Sequence, residues 1–125
     1  MAYTTSANIL TDLSVGAATE HTVLDTEQVS VDVSRVDGVT VSAKITGANA
    51  SANGEVAFNL IGYNGDDWDT VPFREISVGM DGTNGVVQSF GVDVEAYERI
   101  KLLTVKNNDP DYDATVNYVK VLSKA

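Results

Sequence analysis

With 125 residues, 43% of them hydrophobic, and a formal charge of −10, the chain has the size and composition of one globular domain rather than of a disordered segment. It has no cysteine, so it can form neither a disulfide framework nor a thiolate metal site. Its eight Lys and Arg are scattered singly among 18 Asp and Glu, which argues against nucleic acid and anionic membranes as partners. No apolar run approaches the roughly 18 residues of a membrane span. The opening "MAYTTSANILTDL" has no basic region and no continuous apolar stretch, so no secretory leader is expected.

Residues 1–27 are rich in Thr, Ser and Ala, with a small apolar group at Ile9, Leu10 and Leu13. They do not alternate cleanly, and we expect an N-terminal arm or edge segment there. From residue 28 the period is two, and residues 28–125 are expected to form one β-sandwich domain. "QVSVDV" aligns Val29, Val31 and Val33, and "VTVSAKI" aligns Val39, Val41, Ala43 and Ile45. "EVAFNL" turns Val56, Phe58 and Leu60 to one face. "VPFREISV" changes phase between Phe73 and Ile76, which predicts a bulge near Arg74 and Glu75. In "VVQSFGVDV" Gln88 interrupts the face made by Val86, Phe90, Val92 and Val94. "DVEAYER" (93–99) reads as a single helical turn. "RIKLLTVKN" and "ATVNYVKVLS" are apolar enough to predict inner strands covered on both faces.

Asp37-Gly38, Asn53-Gly54, Asn64-Gly65, Asp81-Gly82 and Asn84-Gly85 punctuate these runs, and such pairs suit tight turns. Pro72 places its strand at a start or an edge. The expected fold is therefore all-β: an antiparallel β-sandwich, jelly-roll-like, of seven or eight strands. Its core should include Val31, Val41, Phe58, Leu60, Phe90, Leu102, Val105 and Val119.

Little in the chain points to catalysis. The single histidine, His21, lies in the least patterned segment, and no phosphate-cradling glycine loop leads into a helix. We expect a non-enzyme without cofactor. Two acidic turns are weak calcium candidates, because hard cations favour carboxylates on loops. They are Asp66, Asp67 and Asp69 in "NGDDWD", and Asp109, Asp111 and Asp113 in "NNDPDYD". Neither completes a calcium loop, since the glycine position holds Asp69 in one and Ala114 in the other. Trp68, the only tryptophan, can pair with Tyr63 across the Asn-Gly turn, or serve as a platform for a sugar ring.

The order "VSVDVSRVDGVTV", "GANASANG", "EVAFNLIGYNGDDWDT" and "YERIKLLTVKNNDPDYDATVNYVKV" resembles the small β-sandwich virion proteins of tailed bacteriophages, the class that includes capsid decoration (cement) proteins. The resemblance implies a structural protein that binds the outside of a shell, commonly as a homotrimer, with the major capsid protein as partner. It places the protein on the virion surface after synthesis in the host cytoplasm, and it brings no catalytic residues. Ile9, Leu10 and Leu13 would then be the capsid-docking or oligomer contact. The competing expectation is a carbohydrate-binding module or adhesin-type domain that uses the aromatic residues near Trp68.

Overall fold

The computed structural model describes residues 4–82 and 84–124. These residues form nine strands: β1 (Thr4–Val15), β2 (Glu20–Thr22), β3 (Val31–Asp32), β4 (Gly38–Gly47), β5 (Glu55–Tyr63), β6 (Arg74–Gly79), β7 (Val86–Asp93), β8 (Arg99–Asn107) and β9 (Ala114–Lys124). One sheet runs β1-β9-β4-β7; the other runs β2-β8-β5-β6, with β3 also paired to β8. Every pairing is antiparallel. Successive strands mostly alternate between sheets, which is jelly-roll wiring. The count exceeds the expected seven or eight because β2 and β3 are two pieces of one edge, laid end to end along β8.

The core lies between the sheets. Val41, Phe58, Leu60, Leu102, Val105 and Val119 are fully buried as expected, and Val31 and Phe90 pack against them partly buried. Val56, Phe58 and Leu60 share the inner face of β5, as alternation requires.

Ile9, Leu10 and Leu13 also belong to this core, which corrects the expectation that they are free to dock. The reason is a bulge. Asn8 pairs with Lys120 and Leu10 with Val119, so Ile9 is an extra residue and two consecutive side chains point inward. β8 and β9 are central strands but are not covered on both faces, since Lys101, Thr104, Lys106, Tyr118 and Lys120 keep solvent access. Their apolar density again comes from bulges, with Leu103 extra opposite Asn59–Leu60 and Asn117 extra opposite Lys44–Ile45.

Three smaller expectations are corrected. β6 pairs with β5 without a register shift, because Val71 and Phe73 precede the strand instead of belonging to it. Residues 94–97 form a β-turn closed by Tyr97 N–H to Val94 O (2.9 Å), not a helical turn. Val29 is 65% exposed, because its N–H donates to Ile9 O (2.8 Å) outside the sheet that β3 joins. No helix among the described residues is long and apolar enough to cross a membrane.

Side chains complete the five-stranded sheet and join the loops where backbone pairing does not reach. Between β2 and β3 the Gln28 amide takes the place of a strand: its Nε2 donates to Leu102 O (2.8 Å) and its Oε1 accepts from Leu102 N–H (2.8 Å). At one end of the sandwich the buried Asp109 gathers the connections. Its Oδ2 accepts from the N–H groups of Asn53 and Gly54 (3.1 Å each). Its Oδ1 accepts from those of Asp111 (3.0 Å) and Tyr112 (3.1 Å). Asp109 O accepts from Ala18 N–H (2.8 Å), and Asn107 Oδ1 accepts from Asp109 N–H (2.9 Å). Asn107 Nδ2 reaches Val15 O (3.2 Å) and Tyr112 O (2.9 Å), which ties the end of β1 to the same knot. Gly54 has no room for a side chain, because an added Cβ would lie 2.6 Å from Asp109 Cα.

Two outcomes follow. Burying an aliphatic side chain is worth about 1.5–3 kcal/mol, so Ile9, Leu10, Leu13 and Val15 together supply an amount comparable with a domain's whole stability of about 5–15 kcal/mol. Deletion of residues 1–15 should therefore abolish cooperative thermal unfolding, as followed by circular dichroism. The Asp109 carboxyl is held below its ordinary value of 3.8, chiefly by its backbone N–H donors. A depressed folded pKa means that the unfolded chain binds the proton more readily. The stabilisation is thus complete above the ordinary value and is lost as pH falls through the folded one. Asp109→Asn, which turns an amide nitrogen or loses an acceptor toward those donors, should lower Tm by roughly 5–10 °C at pH 7. The difference from wild type should narrow in an acid titration.

Candidate functional site

The connection after β5 builds the most chemically varied surface of the domain. Asn64 Oδ1 accepts from the N–H groups of Asp66 and Asp67 (2.9 Å each), and Asn64 N–H donates to Asp67 O (3.1 Å). Gly65 takes φ +105°, the left-handed region that glycine enters without strain. Asp69 N–H then reaches Gly62 O (2.8 Å), so the chain doubles back and Trp68 faces Tyr63 in an antiparallel bridge. The two rings lie 5.3 Å apart at 42°. Such a pair adds about 0.5–1.5 kcal/mol beyond burial. Tyr63 Oη donates to Gly65 O (2.8 Å) and fastens the tip.

Trp68 is only half-buried. Lys101, from the neighbouring β8, holds its ammonium 4.2 Å from the indole centroid, a contact worth about 0.5–1 kcal/mol. The same ammonium donates to Asp25 Oδ1 (2.9 Å). Asp25 is exposed, so this ion pair orients the groups more than it stabilises the fold. Arg99 Nε donates to Ser30 Oγ and its Nη2 to Ser30 O (2.9 Å each). A groove results, lined by Asp25, Gln28, Ser30, Trp68 and Lys101. It combines an aromatic plane, an ammonium donor, a carboxylate acceptor and a hydroxyl. That set suits exchange of hydrogen bonds with a hydroxyl-rich ligand, and it pairs no nucleophile with a base.

The strand end that carries this connection is closely packed. Tyr97 packs on Gly62, where an added Cβ would fall 2.1 Å from the ring, and against Phe73 at 4.6 Å between centroids. Burial, then a hydrogen bond to the Asp69 carboxylate, raises the Tyr97 phenol above its ordinary value.

The acidic turns do not converge on a cation. Asp66, Asp67 and Asp111 are exposed, Asp69 faces Tyr97, and both oxygens of Asp109 are filled by backbone N–H groups. Asp113 Oδ1 accepts from Ala17 N–H (2.9 Å). Among the described residues no three His, Asp or Glu side chains are grouped to hold a metal. His21 is half-buried, with Nε2 2.9 Å from Glu27 Oε1, and Glu27 also accepts from Leu24 N–H (2.9 Å). That contact closes the turn between β2 and Gln28. Sequence reading singled out Trp68 and Tyr63 but missed Asp25, Gln28, Ser30 and Lys101. The signal for Lys101 was its alternation with buried Ile100 and Leu102; for the others the sequence carried none.

No family model matches the chain, and no curated protein matches its sequence. Solved structures share the fold at low identity. BiXyn10A CBM1 in its apo form aligns with a TM-score of 0.56 at 14% identity, over 98% of this chain and 92% of that one. A carbohydrate-binding module described under "CBM4 structure and function" aligns at 0.53 and 14% identity, over 77% of this chain and 58% of that one. A chain of the infectious bursal disease virus Gt strain aligns at 0.53 and 9% identity, over 97% of this chain but 32% of the viral one. At these identities the likeness shows the β-sandwich fold alone.

Proposed function

We propose that this domain is a non-catalytic carbohydrate-binding module whose contact surface is the groove beside Trp68. The observation that carries the reading is the half-buried indole set against the Lys101–Asp25 pair and Ser30. Sugars offer an apolar ring face with hydroxyls around its rim, and the groove offers the complement of both. The fold shared with carbohydrate-binding modules supports the reading. The test is an array of immobilised glycans. A bound glycan identified on the array should lose at least tenfold in affinity with Trp68→Ala, which corresponds to about 1.4 kcal/mol. An array with no bound glycan, or a variant that binds undiminished, overturns the reading. Because Trp68 also anchors its turn, Lys101→Gln serves as the second variant: it should weaken binding while the melting temperature stays within a few degrees.

A second reading, a virion structural component, is supported by the alignment of nearly the whole chain with part of a viral one and by the resemblance to phage decoration proteins. On that reading the protein is a homotrimer seated on a major capsid protein. The seat would use exposed surface, not Ile9, Leu10 and Leu13, whose side chains are in the core. Light scattering at tens of micromolar should then give three times the monomer mass, and the protein should co-sediment with the shell. A monomer that stays in the supernatant overturns it.

A further inference from the structure

The four-stranded sheet escapes the acidity of the molecule that carries it. The strands β1, β4, β7 and β9 hold only two of the chain's 18 acids, Asp12 and Asp93. Asp12 sits on the edge strand with φ +54°, and Asp93 is the last residue of β7. The centre of the outer face holds Lys44 and Lys120 instead. They are far apart in the sequence, but the register sets Lys44 opposite Tyr118, and Lys120 is two residues further along β9. Side chains at i and i+2 of a strand share a face, so the two lysines flank the phenol ring. The Lys120 ammonium stands 5.2 Å from the Tyr118 centroid. Among the described residues neither lysine forms an ion pair with a carboxylate.

The rest of the face is mostly hydroxyl and amide, with Val87, 54% exposed, opposite Lys44 and Leu122 opposite Thr40. Ser42 hydrogen-bonds Ser89 across β4 and β7, and Thr46 Oγ1 donates to Asn117 Oδ1 (2.7 Å). Gly91, opposite Thr40, adds no side chain and opens a shallow groove bordered by Thr40, Asp93 and Leu122. From Leu122 to Tyr118 the face runs roughly 13 Å along β9 at the rise of an antiparallel strand, about the length of a short oligosaccharide.

We propose that this face binds a carboxylate-bearing polysaccharide of the uronic-acid type. Two ammonium groups that form no ion pair among the described residues, in a protein of net charge −10, attract fixed anions locally. The hydroxyls of Thr40 and Thr46 and the tyrosine ring match the hydroxyls and ring faces of a sugar polymer, and the polyglutamate comparison below separates this from a general attraction to acidic chains. Nucleic acid, with a charge on every nucleotide, would meet the acidic remainder of the molecule around just two cations. The surface is distinct from the Trp68 groove, and the proposal stands without it.

Affinity electrophoresis in native gels containing polygalacturonate is the test, with hydroxyethylcellulose and polyglutamate gels as comparisons. Polygalacturonate should retard the wild type, and the retardation should weaken as salt rises. Lys44→Gln/Lys120→Gln should lose at least tenfold in affinity with unchanged melting, and Lys44→Arg/Lys120→Arg should retain binding. Trp68→Ala should bind polygalacturonate like wild type, so loss in that variant would overturn the assignment to this face. The proposal is equally overturned if polygalacturonate fails to retard the protein, if the glutamine variant is retarded undiminished, or if polyglutamate retards as strongly.

Discussion

One carboxylate organises an entire end of this domain. A jelly-roll must return its chain between two sheets repeatedly, and each return leaves backbone N–H groups that need acceptors once water is excluded. Asp109 supplies two oxygens to four such groups, drawn from the β4–β5 and β8–β9 connections. Asn107 beside it joins the carbonyls of Val15 and Tyr112. The loops at this end are therefore fixed by charge-assisted hydrogen bonds rather than by apolar packing. With that end closed, β1 is held against β9 and the core has a lid.

The opposite end is fixed by shape. Tyr97 fills the space over Gly62 and touches Phe73, so the connection carrying Trp68 rests on a packed aromatic layer. Trp68 stays half-buried there while it anchors its own turn against Tyr63. Lys101 lies between the two roles: it orients the indole from below and presents a charge to the groove. The two faces of the sandwich differ accordingly. One bears an aromatic next to a neutralised ion pair; the other bears two lysines that form no ion pair among the described residues.

The parts of this architecture that rest on alternation were legible in the sequence. Phe58 and Leu60 face inward because nothing between them breaks period two, and Asn64-Gly65 turns where glycine adopts positive φ. Ile9 and Leu10 were misread because a bulge puts neighbours on the same side, and the residues alone do not announce a bulge. The Val71–Phe73 stretch misled for the opposite reason, since its apolar side chains lie outside the strand whose phase they suggest. Gln28 and Asp109 were invisible as structural residues. Gln28 pairs with Leu102, 74 residues away, and Asp109 reaches Gly54 across 55 besides its near partners Asp111 and Tyr112; a single polar side chain gives no sign of a distant backbone group. The groove inherited that blindness, because only Trp68 of its lining had a local signature. So did the Lys44–Tyr118–Lys120 cluster, which exists only through the pairing of β4 with β9.

The Gln28 amide carries a consequence for how such a domain can change. Along the edge of β8 it substitutes for a residue of backbone, so the sheet stays continuous although the chain leaves it after Thr22 and returns at Val31. The excursion between Val23 and Gln28 is thereby released from the duty of pairing. Its exposed residues, Leu24 to Thr26, can vary while Val23, Glu27 and the one glutamine keep the seam shut. Because Asp25 belongs to that excursion, the groove's polar wall can be rewritten by substitution without reopening the core. A fold in which a side chain does the work of a strand separates the evolution of recognition from that of stability.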